Sequence, residues 1–169
     1  IPALTDALKN AFRAEVPVLL LPLFPQYTQA TTGSILKTAF DTLPIVTRPP
    51  EFRFIRDFFD FPPYVAALAQ CIQNYWDQHG RAEKLLFSFH AVPAHWTDEY
   101  DSACRTTVRL TTSALHLNDA MAETVYQSAF GKKGWLQPDI LVRLTDLAQA
   151  GCRSVDVICP GFIVDNLET

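Results

Sequence analysis

Apolar positions along the chain alternate between two periods. From Pro2 to Arg13 they recur at helical spacing (Leu4, Leu8, Ala11, Phe12), which predicts a short amphipathic helix. Val16 to Leu21 is a compact apolar run and reads as a buried strand. Phe24 to Thr32 is a polar loop, after which Thr31, Thr32 and Ser34 offer N-cap chemistry for a helix over Ile35 to Leu43. Glu51 to Phe58 alternates, with Phe52 and Phe54 on one side and Arg53 on the other, which predicts a second strand. Asp60 to Pro63 breaks the pattern. Tyr64 to Gln78 then predicts a long helix with Val65, Leu68, Ala69, Ile72 and Trp76 along one face, closed by His79-Gly80.

The second half repeats the alternation. Leu85 to Phe89 is an almost continuous apolar run that ends in His90, with Pro93 forbidding easy continuation. It reads as a strand buried on both faces, with His90 at its carboxyl end. A loop with Pro93 and Trp96 leads to a helix over Ser102 to Leu115, then a strand over Glu123 to Gln127. Lys132 to Trp135 is a loop, and Pro138 suits the first turn of a helix over Asp139 to Ala150, closed by Gly151. Ser154 to Cys159 is a β-branched strand, turned by Pro160-Gly161-Phe162 into the start of a last helix. Strands alternating with helices predict an α/β chain built on parallel sheets with helices on both faces and right-handed crossovers. The long helix from Tyr64 carries the chain from one sheet to another. Residues 1–60 are therefore assigned to the end of one domain and residues 61–169 to most of a second.

Composition narrows the function classes. Apolar residues make up 49% of the 169, enough for a sizeable core, and the formal charge is -4 without any basic run, which argues against nucleic acid as a partner. Val16 to Phe24 is too short to span a bilayer, and no signal peptide is visible. Cys71, Cys104, Cys152 and Cys159 contain no CxxC pair, so they read as reduced thiols of a cytoplasmic protein, Cys159 buried at a strand end, and an iron–sulfur cluster is not expected. The chain opens at Ile1 and stops at Glu168-Thr169 within what reads as a first helical turn, so it is expected to be a fragment.

Candidate chemistry centres on His90. Ligands bind at the carboxyl ends of strands in open α/β sheets, so an imidazole there can accept a proton or bind a metal. A buried histidine bonded to a backbone carbonyl carries equal weight. Glu168 follows the strand Ser154 to Cys159. If the first and third of three consecutive strands are neighbours, His90 and Glu168 flank one crevice, where an imidazole and a carboxylate can relay protons or share a divalent cation. Alone, Glu168 reads as a solvated acid at a helix N-terminus. His79, His95 and His116 read as solvated. Trp135 suits either the core or the wall of a pocket for a flat ligand. FPQYTQATTGS has one glycine and no Gly-Lys-Ser/Thr ending, so it is a helix cap and loop rather than a phosphate cradle.

Four stretches together resemble the ferrochelatase family. PLFPQYTQATTGS resembles its PLYPQYS...TTGS segment and FSFHAVP its SFHGLP strand end. YQSAFGKKGWLQP resembles YQSRFG...WLQP, and VICPGFIVDNLET resembles VCPGF..D.LET. They run in the family's order from Pro22 to Thr169, and the form most resembled is the Gram-negative, protoporphyrin-using type. The resemblance implies two Rossmann-like domains, each a parallel sheet flanked by helices, with porphyrin in the cleft between them. It implies a lyase of haem biosynthesis that inserts Fe(II) into protoporphyrin IX, with no cofactor beyond the substrate iron. His90 then matches the active-site histidine, assigned proton abstraction or metal binding, and Glu168 the carboxylate across the pocket, assigned proton relay or metal guidance. Trp135 matches a tryptophan beside the macrocycle. The greasy substrate and product leave a peripheral membrane contact open.

The sequence also departs from the family. Ala129 stands where many relatives have a basic residue, which removes either a propionate contact or only a surface charge. Asn166 stands where relatives often have His or Cys, and the stretch WTDEYDSACR is shorter than usual. The competing expectation is a truncated module that holds porphyrin or metal without turnover. A flavodoxin-like nucleotide binder would need a glycine-rich phosphate loop, which is absent.

Overall fold

The computed structural model describes residues 4–14, 16–43, 50–96, 98–129 and 133–164. The chain divides into two compact units, Ile1–Asp57 and Phe58–Thr169. The architecture is α/β, and the described residues carry the five anticipated strands in two parallel sheets flanked by helices.

In the first unit, α1 (Leu4–Arg13) precedes β1 (Val18–Leu20), and α2 (Ser34–Thr42) precedes β2 (Phe52–Phe54). The two strands pair in parallel, Val18 opposite Phe52 and Leu20 opposite Phe54. Leu8 and Phe12 of α1, Ala39 of α2, Val18, Leu20 and Phe52 form one apolar cluster. Both helices therefore cover the same sheet face, and Leu19 on the other face stays 63% exposed, so β1 is not the buried strand that the run Val16 to Leu21 predicts. The second strand is shorter than Glu51 to Phe58, because Ile55 N–H, bonded to the Leu20 carbonyl at 3.0 Å, closes the ladder.

The cap of α2 also differs from expectation. A single π-helical turn, Gln29–Gly33, runs straight into α2. The residue in extended geometry before it is Thr28, whose hydroxyl accepts the Thr31 N–H at 3.1 Å. Ser34 instead donates its hydroxyl back to the Ala30 and Thr31 carbonyls. Of the candidates Thr31, Thr32 and Ser34, none caps, because the extra turn moves the helix start several residues earlier. Space beside Gly33 is tight: a Cβ there would lie 3.0 Å from the Tyr27 hydroxyl and 3.3 Å from the Thr28 carbonyl oxygen.

The second unit holds α3 (Pro62–His79), β3 (Lys84–His90), α4 (Asp98–Ala114), β4 (Ala122–Gln127), α5 (Ile140–Gln149) and β5 (Val155–Ile158). Strand order is β4-β3-β5, all parallel. The prolines expected to break the chain before α3 occupy its first turn, where their missing N–H costs nothing. At the far end Gly80, at φ 80°, donates its N–H to the Trp76 carbonyl at 2.8 Å. The fourth helix begins a turn earlier than its apolar pattern suggests. Pro138 is not in the first turn of α5 either. It follows a cis peptide bond and precedes Asp139, whose carboxylate caps the helix by accepting the Leu141 and Val142 N–H groups. The final turn predicted near Glu168 lies outside the described residues.

Period-two alternation along β3 builds two cores. Leu85, Phe87 and Phe89 join Ile72 and Trp76 of α3, Tyr100, Cys104 and Val108 of α4, and Tyr126 of β4. Leu86 faces the other way, with Val125, Leu147, Ile140 and Leu144. Helices thus cover both faces of this sheet, and each large apolar side chain so buried contributes roughly 1.5–3 kcal/mol. At the strand bases, Asp156 of β5 accepts the Trp76 indole N–H at 2.6 Å and the Ala82 N–H at 3.2 Å.

One ion pair ties α5 to β4. Arg143 meets Glu123 through two hydrogen bonds, at 2.5 and 2.8 Å, and Lys84 adds a longer contact at 3.4 Å. The Arg143 hydrogen bonds, with its charge and that of Lys84, hold the Glu123 carboxyl below its usual value despite some burial. A depressed carboxylate stabilises the fold above the unfolded value of 4.5, and that contribution is lost as pH falls through the folded value. Glu123→Gln is therefore expected to cost roughly 1 kcal/mol at pH 7 and progressively less in acid. Urea unfolding at neutral and acid pH checks this, and an equal loss at both would remove the ion pair as the cause.

Candidate active site

His90 is the last residue of β3 and lies in register with Gln127, the last residue of β4. Because β3 has a neighbour on each side, its carboxyl end sits where the strand order reverses, the usual position for a ligand crevice in such sheets. The imidazole is half-buried, and its Nδ1 lies 2.6 Å from the Ala91 carbonyl oxygen. A carbonyl only accepts, so Nδ1 carries the proton in this bond, and the lone pair of the neutral ring is on Nε2. The bland reading of a histidine bonded to a backbone carbonyl and the reading of a poised base therefore describe the same geometry.

The surrounding backbone is tied down. Ala91 N–H donates to the Gln127 carbonyl at 2.7 Å, and the buried Tyr100 hydroxyl donates to the His90 carbonyl at 3.0 Å. The segment holding Trp135 is laced to the turn that follows His90. Ala94 N–H donates to Gly134 and Leu136 N–H to Val92, with Pro93 and Trp135 forming an antiparallel bridge. Further on, Tyr126 N–H donates to the Pro138 carbonyl at 2.9 Å. The WLQP stretch thus wraps the carboxyl tips of β3 and β4. Trp135 itself is half-buried and packs against the core cluster beneath.

Two other groups lie below the site, the Tyr126 phenol and the Cys104 thiol. Tyr126 donates its phenol to Asp101, which also accepts from Arg105 at 2.9 Å. Burial, and then the Asp101 bond, push the phenol upward, and burial pushes the Cys104 thiol well up. Neither supplies a base near neutral pH.

Of the sequence-derived site residues, the structure brings the backbone segments of His90 and Trp135 together, while Glu168 and Asn166 lie outside the described residues. Ala129 is 3% exposed within the core cluster, so the position is not a surface one, contrary to half of the expectation for it. None of the four cysteines is in a disulfide, and Cys159 is half-buried rather than buried. Among the described residues no three His, Cys, Asp or Glu side chains cluster as a metal site, and no described helix is long and apolar enough to cross a membrane. His79 stacks on Tyr75 at 4.5 Å at the end of α3, and His95 is exposed.

One residue near His90 carries no mark of its own in the sequence. Gln127 accepts the Ser88 hydroxyl through its side-chain oxygen, and Cys159 Sγ lies 3.6 Å from that same oxygen. The available signal was Ser88 itself, a hydroxyl in an otherwise apolar buried strand, which demands a partner.

The model of the family described as ferrochelatase matches residues 1–169. A ferrochelatase of Methylibium petroleiphilum is 44% identical over 155 residues, covering 90% of this chain and 43% of that protein. Ferrochelatase 1 of Shewanella oneidensis is 43% identical over 155 residues, covering 90% of this chain and 46% of its own. The chain thus spans less than half the length of these curated relatives.

Proposed function

This chain belongs to the ferrochelatase family, and on that footing we propose that the full-length protein inserts Fe(II) into protoporphyrin IX to give protohaem. The single observation that carries the reading on this chain is His90, held at the carboxyl end of a central parallel strand with its Nδ1 proton on the Ala91 carbonyl. Insertion exchanges two pyrrole N–H protons for one metal dication, so the reaction needs a base at the ring centre. The lone pair of His90 Nε2 takes a pyrrole proton, and the Ala91 carbonyl steadies the imidazolium that forms. Glu168 is the carboxylate that carries the proton onward or guides the incoming iron. Trp135 packs beside the macrocycle. Protoporphyrin IX and Fe(II) are the substrates, with no resident cofactor. The unit Ile1–Asp57 is read as the end of one Rossmann-like domain and Phe58–Thr169 as most of a second.

Anaerobic mixing of the full-length protein with Fe(II) and protoporphyrin IX tests the proposal. Porphyrin fluorescence is expected to fall as haem absorbance rises, with two protons released per haem into weakly buffered solution. Binding of porphyrin without proton release or a haem spectrum would leave a porphyrin-binding module and end the enzymatic reading.

A further inference from the structure

The geometry points to Gln127 as a positioning residue that sets the tautomer and placement of His90, a role that rests on the reading of His90 as the proton acceptor. The side-chain oxygen of Gln127 accepts the hydroxyl of Ser88 on β3 and faces Cys159 Sγ, just past β5, at 3.6 Å. One amide therefore joins the carboxyl ends of all three strands of the sheet. Ser88 is completely buried and lies two residues before His90 on the same strand face, in the layer directly beneath the imidazole.

The main chain of Gln127 completes the link. Its carbonyl accepts the Ala91 N–H at 2.7 Å, and the carbonyl of that same Ala91 accepts the His90 Nδ1 proton. These are two successive peptide units joined at the Ala91 Cα: Gln127 holds the His90–Ala91 unit, and the imidazole bonds to the Ala91–Val92 unit that follows. At this tip β5 has already left the ladder, since its pairing with β3 ends at Phe87. The Gln127 side chain replaces the missing ladder bonds with a tie to Ser88 and Cys159, and its main-chain carbonyl holds the peptide unit just before the one that meets the imidazole, so the placement of the Ala91 carbonyl, and with it the proton on Nδ1, depends on how Gln127 is held.

Two variants of the full-length protein test this: Gln127→Met, which keeps the length and removes the acceptor, and Ser88→Ala, which removes the donor. Each is expected to lower kcat about tenfold with KM for porphyrin changed by less than about twofold, and the double variant is expected to be no slower than Gln127→Met alone. The second readout is independent of turnover. Nitrogen-15 spectra of labelled histidine are expected to show His90 as the Nδ1–H tautomer in the parent and as a tautomer mixture in Gln127→Met. Variants that melt earlier but keep the parent kcat and tautomer would reduce Gln127 to a fold-stabilising residue and overturn the inference. Should Gln127→Met fail to fold, Ser88→Ala carries the same readouts. A parent that keeps its turnover after His90→Ala fails at a different point, because it removes the function of His90 and not its link to Gln127.

Discussion

Replacing His90 with alanine in the full-length protein is expected to lower kcat for iron insertion by about 100- to 10,000-fold while porphyrin affinity stays within a factor of about three. The size follows from what is lost: a positioned base contributes that range when it takes a proton in the rate-limiting step. The asymmetry between kcat and binding follows from where the ring sits. His90 ends a strand whose backbone is held by Tyr100 and Gln127 through main-chain atoms, so removing the imidazole leaves the sheet and its neighbour Trp135 in place. Stopped-flow fluorescence reads both quantities in one experiment. Loss of porphyrin binding together with turnover would make His90 a structural residue of the pocket. Unchanged turnover would move the base elsewhere, with Glu168 first in line.

The second large effect concerns the fold. Phe87→Ala is expected to destabilise the protein by about 3–5 kcal/mol, a large share of what a domain of this size has in reserve. Phe87 is completely buried at the middle of the central strand, opposite Thr124 on β4 and Ile158 on β5, and its ring joins the cluster shared by α3 and α4. Truncation leaves a void lined by elements that are each pinned elsewhere, so little collapse can relieve it. A urea titration should show a lower midpoint at unchanged slope. A loss below about 1 kcal/mol would mean that the cluster relaxes freely and is not the centre of the core.

Much of this architecture was legible because it rests on periodicity. The run Leu85 to Phe89 announced a strand buried on both faces, and its two faces do pack against different helices. The same logic does not carry over to β1. A continuous apolar run cannot say whether helices cover one face or two, and here α1 and α2 share a face. Caps are hard to place from sequence for a local reason. Threonines and serines crowd the stretch from Thr28 to Ser34, and only the backbone decides which of them sits in extended geometry before the first turn. The chemistry divides along similar lines. His90 stood out because a lone histidine at a strand end interrupts an apolar pattern. Gln127 did not, since a glutamine at the end of a strand is ordinary until the buried hydroxyl two strand positions below its neighbour is seen to need it.

The unequal pairing of β3 has a consequence for how this sheet moves. Its base, Leu85 to Phe87, is flanked by strands on both sides, whereas Ser88 to His90 are paired with β4 alone. Amide protons at the base should exchange with solvent only when the whole unit opens, while those toward the tip should exchange through smaller, local openings. The strand is thus held in two ways: by ladder bonds on both sides along its base, and, at the end that bears the imidazole, by β4 on one side and the side chains of Tyr100 and Gln127 in place of a second strand.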